Sequence, residues 1–304
     1  MPSLSPIDLS NLPAPAVVES LSYEAILNAM KADLVARDPA FSALLSSDPA
    51  IKVLEVAAYR EMLLRQRVND GAKAVMLAYA TGSDLDNLAA LVNVERKTLV
   101  PANPSTLPPT PAVMETDSDL RYRVQLSFEG ISTAGPAGSY EFHALSVETI
   151  RDAVVVGPPT VAAGNVRVTI LSRNATQTHG ASSAEIAAVE AKLNAEDIRP
   201  LTDLVTVQAA SMVTYKIHAH LYVLPGWDAN VAKTTAEANI NAYAESVRRV
   251  GADVRISGIY AAAHVAGVER VALQSTSGAI TADLTISDVQ ASFLTDLSVS
   301  TFTA

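Results

Sequence analysis

The chain has 304 residues, of which 49% are hydrophobic and 18% charged, a composition typical of a folded protein long enough for two or three domains. Its formal net charge of −10 argues against a nucleic-acid-binding face or docking on an anionic membrane, because both need a basic patch. The absence of cysteine excludes disulfides, thiolate zinc sites and thiol nucleophiles. No apolar run approaches the ~20 residues of a membrane-spanning helix, and no secretory signal is expected at the N-terminus.

Residues 1–20 are predicted to form an extended, proline-rich arm. Pro2, Pro6, Pro13 and Pro15 stand among small residues and restrict the residues that precede them. Such a segment cannot bury itself, so we expect it to lie on another surface.

Residues 21–97 are predicted to be a helical core-bundle region. One helix should run from about Leu21 to Ala36 with Ser22 as its N-cap, and a longer helix should open at Asp48-Pro49 and continue to near Thr81. In the longer helix, apolar residues recur with a period of 3.6, which predicts the side that faces the core. This apolar stripe consists of Val53, Val56, Ala57, Leu64, Val68, Ala72, Val75 and Tyr79.

The stretch LAYATGSDLDNL, residues 77–88, contains two aspartates one residue apart, Asp84 and Asp86. Paired carboxylates can bind a metal or act in acid–base catalysis, but no nearby His or Glu completes a metal site. The alternative is a corner between helices. Gly82 would then end the long helix, Ser83 would cap a helix from Asp84 to Val92, and both carboxylates would lie in its first turn. The sequence favours the corner.

The rest of the chain is predicted as a proline-rich linker at 98–115, a helical segment at 116–148, and two small α/β domains at 149–210 and 211–304. The fold class is therefore α+β and multidomain, with an N-terminal helical bundle region followed by two small α/β units. Short similarities between 143–148 and 264–269, and between 195–207 and 244–256, suggest that the two units are related with rearranged order. Helices are predicted at 117–129, 139–147, 183–194 and 229–247, and strands at 154–156, 166–171, 204–207, 215–223, 268–273 and 284–286.

Neither a catalytic residue nor a cofactor or metal site is assigned. There is no G-x-G-x-x-G, Walker or G-x-S-x-G motif. His218 and His220 share one face of a predicted strand, as metal ligands can, but alternation with apolar residues favours ordinary strand positions. His143 and His264 are expected to be packing or surface residues.

Residues 48–96, DPAIKVLEVAAYREMLLRQRVNDGAKAVMLAYATGSDLDNLAALVNVER, resemble the signature region of the baseplate J-like proteins, wedge components of contractile phage tails. The similarity continues in LPAPAVVESLSYEAIL near the N-terminus, AGPAGSYEFHALS from Ala134, IRPLTDLVTV from Ile198 and GVERVAL from Gly267.

The resemblance implies a non-enzymatic building block without cofactors. Two copies are expected to pair with one copy of a second wedge protein. Six such wedges would ring the central hub, near the sheath-initiating baseplate protein, and the ring's change of shape would trigger sheath contraction. The protein would assemble in the bacterial host cytoplasm and reside in the tail baseplate of the virion.

Five polar residues of the long helix are the candidate partner interface: Glu55, Arg60, Glu61, Arg65 and Asn69. They either form a solvated face with a helix ion pair, or supply the polar contacts where helices of two copies and the second wedge protein meet. Two other functions stay open. One is an equivalent part of a phage-tail-like bacteriocin or secretion machine. The other is a tail-associated hydrolase or receptor-binding protein, in which Asp84, Asp86 and His218 would be the residues to assay.

Overall fold

The computed structural model describes residues 7–9, 12–13, 15–41, 45, 48–130, 136–196, 198–276 and 278–304. The chain is α+β, with helices at the N-terminal end and small mixed sheets after them. It divides into two compact units. The helical unit contains Ser5–Arg96 and Glu115–Gln125, and the sheet unit contains Lys97–Met114 and Leu126–Ala304.

The helical unit begins with two helices that pack on each other, and both predicted starts are confirmed. The hydroxyl of Ser22 accepts a hydrogen bond from the Ala25 N–H at the start of α1, and the Asp48 carboxylate accepts one from the Ala50 N–H at the start of α2. Pro49 occupies the first turn of α2, where a missing N–H costs nothing. The elements of the unit are α1 (Tyr23–Arg37), a 3₁₀ turn (Pro39–Phe41), α2 (Pro49–Ala74), α3 (Gly82–Ala90) and the beginning of α4 (Asp117–Gly130).

The corner after α2 differs from the prediction. The helix ends at Ala74, not near Thr81, and the chain then turns, with the Ala80 N–H bonded to the Met76 carbonyl. The Arg121 guanidinium donates to the Leu77 and Ala80 carbonyls and so satisfies backbone acceptors that a longer helix would have used. Gly82, with φ of +52°, begins α3, and Thr81 occupies its N-cap position in place of Ser83.

The described residues of the N-terminal arm contact the helical unit of the same chain, and a contact with a neighbouring subunit stays a prediction. The Tyr79 hydroxyl donates to the Leu12 carbonyl, and the Gln125 amide donates to the Ile7 carbonyl. Glu19 binds α2, as detailed below. Pro2 and Pro6 lie outside the described residues.

The sheet unit opens with a hairpin where the sequence predicts a linker: β1 (Thr98–Val100) pairs antiparallel with β2 (Val113–Met114). A first three-stranded sheet follows, in the order β3-β4-β5, with β3 antiparallel and β5 parallel to β4. The crossover helix before β5 starts with a capping box between Ser182 and Glu185. The elements are α5 (Ala137–Ser146), β3 (Ile150–Val156), β4 (Asn165–Ser172), α6 (Ser183–Leu193) and β5 (Leu204–Ala209).

The second sheet has the order β7-β6-β8, with β7 antiparallel and β8 parallel to β6. Alternate residues of β6 are buried together with apolar residues of the helices Ala229–Val247 and Ile256–Ala263. The predicted strand at 284–286 is wrong, since Leu284 makes only an isolated bridge to Val254, whereas α8 and β8 were not predicted. The elements are β6 (Ser211–Val223), α7 (Ala229–Val247), α8 (Ile256–Ala263), β7 (Val268–Leu273) and β8 (Gln290–Thr303).

The two sheets share one arrangement, in which a central strand has one antiparallel and one parallel neighbour. In both, the antiparallel edge strand follows directly after a short helix: α5 leads to β3, and α8 leads to β7. The similar segments 143–148 and 264–269 lie at these two helix-to-strand junctions. The two similar segments therefore occupy corresponding places in the two sheets, although the chain order of the remaining elements differs. None of the described helices is long and apolar enough to cross a membrane.

Candidate partner-binding interface

Helix α2 buries a narrow side. Ile51 and Ala58 are fully covered, and the third buried residue of the helix is polar, Asn69 at 4% exposure. This side faces α1 and the end of the N-terminal arm. One isoleucine, one alanine and one asparagine fill this side, so most of the large apolar side chains of α2 lie on its other sides.

Most of the apolar stripe predicted to face the core is exposed, and only its two alanines and Tyr79 are half-buried. Val53, Leu64 and Val68 are each more than 60% exposed, and Val75 after the helix is 70% exposed. At 3.6 residues per turn the exposed apolar residues spread over about half of the helix circumference, opposite Ile51 and Ala58. We call this surface the outer face; its large apolar side chains are Val53, Val56, Tyr59, Leu63, Leu64 and Val68.

Two arginines stand in the middle of the outer face. Arg60 and Arg67 are seven residues apart, two helical turns, so they lie on one line about 10 Å apart along the axis. Both are exposed, and among the residues that the structure describes neither makes a hydrogen bond or ion pair. Sequence reasoning missed Arg67; its signal was the spacing of seven from Arg60. An apolar surface of this width centred on unpaired cations is typical of a protein-binding surface.

The other predicted interface residues act largely within the chain. The Arg65 guanidinium donates to the Glu61 carboxylate at 2.7 Å and to the Glu19 carboxylate at 3.2 Å, and these hydrogen bonds raise the pKa of Arg65. Glu55 pairs with Lys52 one turn away at 3.0 Å. Of the five, Arg60 alone belongs to the outer face.

Asn69 holds the arm to the helix. Its side-chain oxygen accepts from the Glu19 N–H at 3.0 Å, and its side-chain nitrogen donates to the Glu19 carbonyl at 2.9 Å. A two-point contact of this kind resembles one rung of a β-ladder, and it fixes the place of the arm on α2. Val17, Glu19, Leu64, Arg65 and Val68 border the resulting groove of about 270 Å³. The arm therefore widens the outer face on one side.

Asp84 and Asp86 do not form a shared site. Asp84 is exposed in the first turn of α3, whereas Asp86 binds Arg96 at 2.7 Å. The Arg96 guanidinium also binds the Asp117 carboxylate at 2.7 Å and the Glu115 carbonyl at 2.7 Å. Burial alone would raise the pKa of Asp117, but hydrogen bonds from Arg96 and the Gly82 N–H lower it below its usual value. The paired aspartates thus contribute one member to an ion network that joins α3 to α4.

A second, deeper ion pair braces the same junction. The Arg123 guanidinium donates to the Glu115 carboxylate at 2.6 Å and to the Glu95 carbonyl at 3.1 Å. Glu115 is 1% exposed, so this pair is shielded from solvent. Such a pair determines which segments can meet, because either partner alone would be a buried charge.

The four histidines considered above each have different neighbours and do not form a common site. His218 bridges Thr276 Oγ1 at 2.8 Å and Asp296 Oδ2 at 2.9 Å, while the His220 ring packs 4.7 Å from the Phe302 ring. His264 ends α8, and the His143 ring lies 5.4 Å from that of Phe142. Within the described ranges, no three His, Asp or Glu side chains cluster as metal ligands would.

Comparison with known proteins finds similarity along nearly the whole chain. Residues 46–103 match the Baseplate J-like N-terminal domain, residues 132–209 the Baseplate J-like central domain, and residues 215–292 the Baseplate J-like protein C-terminal domain. The chain is also 45% identical to Baseplate protein J of Escherichia phage P2, over 97% of both chains. The outer face of α2 falls within the first of these domains. The chain belongs to the baseplate J-like protein family.

Proposed function

We propose that this protein is a structural component of a contractile phage tail baseplate and has no enzymatic role. Its similarity along its length to a phage P2 protein named for the baseplate supports this, and so does its family. In the proposed assembly, two copies of the chain and one copy of a second wedge protein form a wedge. The wedges ring the central hub beside the sheath-initiating protein and transmit the change of shape that triggers contraction. The particle's baseplate is then the final location, after assembly in the bacterial host cytoplasm.

The outer face of α2 is the observation that carries the proposal. A 26-residue helix with six large apolar side chains exposed is costly for a protein that works alone. Covering half of such a helix with other helices would bury these side chains in a bundle, as amphipathic helices do. The outer face therefore fits the contact with the second wedge protein and a second copy.

Arg60 and Arg67 add chemical specificity to this contact. Buried under a partner, each cation needs a carboxylate or several carbonyl acceptors. Two copies of α2 packed side by side in register would place arginine against arginine, which disfavours that pairing. A partner helix with acidic residues seven apart would satisfy both arginines, so we assign the centre of the outer face to the second wedge protein.

The experiment is the solution mass of the chain, alone and co-expressed with a candidate second wedge protein from the same gene cluster. We expect a complex with two copies of this chain for each copy of the partner. A chain that binds no tail protein would overturn the proposal, and Asp84, Asp86 and His218 would then be assayed for activity. An equivalent part of a bacteriocin or secretion machine would give the same mass; the phage P2 relative favours the phage tail.

A further inference from the structure

The hairpin of β1 and β2 lies in the chain between the two segments of the helical unit and is exposed over nearly its whole length. Every residue from Pro101 to Met114 is exposed. The hairpin is held by its own bonds: Asn103 and Thr110 exchange backbone hydrogen bonds at 2.9 and 3.0 Å, and the Thr106 hydroxyl accepts from the Thr110 N–H at 2.9 Å. The segment contains five prolines and no charged residue from Thr98 to Met114. The hairpin is therefore stiff and uncharged.

The tip of this hairpin presents an apolar side chain to solvent. Leu107 is 98% exposed and is followed by Pro108 and Pro109. Because the prolines and the internal hydrogen bonds already fix the backbone, a contact made by the tip loses little conformational entropy. These are the properties of a preorganised docking element.

An uncharged aromatic cleft lies elsewhere in the same sheet unit. It has a volume of about 340 Å³ and is bordered by the turn after β6 and the end of β8. Leu224, Trp227 and Phe302 in its lining are each more than 40% exposed. The Trp227 ring packs directly over Gly267, where a Cβ would lie 2.5 Å from the ring, so a glycine at this position leaves room for the wall of the cleft.

We propose that the hairpin tip of one copy, Leu107–Pro109, docks in the Trp227–Phe302 cleft of a second copy. Leucine and proline side chains gain free energy when they are buried against aromatic rings, and a cleft of this size has room for a leucine side chain and a proline ring. Charge supports the choice of a second copy. Each chain carries a net charge of −10, so copies of the chain repel one another. Neither the hairpin nor the lining of the cleft contains a charged residue, so this contact adds no repulsion between charges.

The contact joins different surfaces of two copies. Such a heterologous contact closes into a ring when the rotation between neighbouring copies permits, or into a pair when each of two copies docks its hairpin in the cleft of the other. The proposal rests on the baseplate function above for the ring in which copies meet. It uses surfaces separate from the outer face of α2, so the two contacts can be tested independently.

The chain contains a single tryptophan, Trp227, so its fluorescence reports directly on the cleft. We expect the emission of the full chain to shift to the blue as concentration rises, in step with an increase in mass by analytical ultracentrifugation. Leu107→Asp should weaken this association at least about thirtyfold, the loss typical of a hot-spot side chain. Leu201→Asp is the matched control, because Leu201 is equally exposed, at 97%, in another loop of the same unit.

Three outcomes would overturn the proposal. They are a chain that stays monomeric with constant emission at all concentrations, a rise in mass without a shift of Trp227 emission, and association of Leu107→Asp equal to that of Leu201→Asp. Binding of the second wedge protein by the Leu107→Asp chain is measured in parallel. Retained binding of the second wedge protein with lost self-association supports the contact between hairpin and cleft. Failure of the wild type and of every variant to bind that protein counts against the baseplate function alone.

Discussion

The junction of α3 with α4 and the outer face of α2 belong to one helical unit but treat their side chains in opposite ways. At the junction, Arg96 and Arg123 are mostly buried, and each is bound by carboxylates and carbonyl groups of the same unit. On the outer face, Arg60 and Arg67 are exposed among apolar side chains. The difference separates two tasks: the junction stabilises the chain itself, and the outer face is the surface that we propose for a partner.

Glu115→Ala should have the largest effect, because it leaves Arg123 buried without its carboxylate. Breaking a buried ion pair from one side costs about 3–5 kcal/mol. We expect the free energy of unfolding, measured by urea titration, to fall by that amount. A loss as small as that of Glu61→Ala, which removes a partner from a solvent-exposed arginine, would contradict the contrast between the two regions.

Leu64→Asp should leave the isolated chain as stable as the wild type, because Leu64 is 67% exposed. Its effect should fall on the wedge complex, with a loss of about 2 kcal/mol or more of binding free energy at the centre of an apolar interface. Ala58→Asp on the buried side of the same helix is the control, and it should lower the melting temperature of the chain alone. Equal melting temperatures for the two variants would show that the buried and outer sides of α2 are assigned wrongly.

Acid should weaken the junction through Asp117. Its folded-state pKa is lowered, so the ionised carboxylate stabilises the fold above the unfolded pKa of about 3.9, and this stabilisation is lost as the pH falls through the folded pKa. We expect the urea midpoint of the wild type to fall from pH 5 to pH 3 by more than that of Asp117→Asn. Parallel pH profiles for the two chains would remove Asp117 from the network.

Arg65→Ala should have the smallest effect on folding, since its ion pairs with Glu19 and Glu61 are exposed and screened by solvent. It borders the groove beside the outer face, so we expect a lower yield of the wedge complex with little change in melting temperature. A lowered melting temperature with an unchanged yield of complex would confine Arg65 to holding the arm.

Local signals in the sequence were sufficient for much of the fold. Helix caps such as Ser22 and Asp48 act within a few residues, so the starts of α1 and α2 could be placed without the tertiary structure. Strand β8 escaped detection because Ser and Thr fill most of its polar positions and only some of its apolar residues are buried. The end of α2 escaped because the groups that replace its last turn come from Arg121, more than forty residues away.

The sequence by itself determined the family, the α+β class, the helical start of the chain and the periodic apolar stripe of α2, because these depend on neighbours in the chain and on residue type. Only the tertiary structure decided which way that stripe points. Periodicity shows that a helix has an apolar side but cannot show whether that side is covered by the same chain or by another. Here Ile51, Ala58 and Asn69 lie on the side that meets α1 and the N-terminal arm, and most of the larger apolar side chains are left exposed.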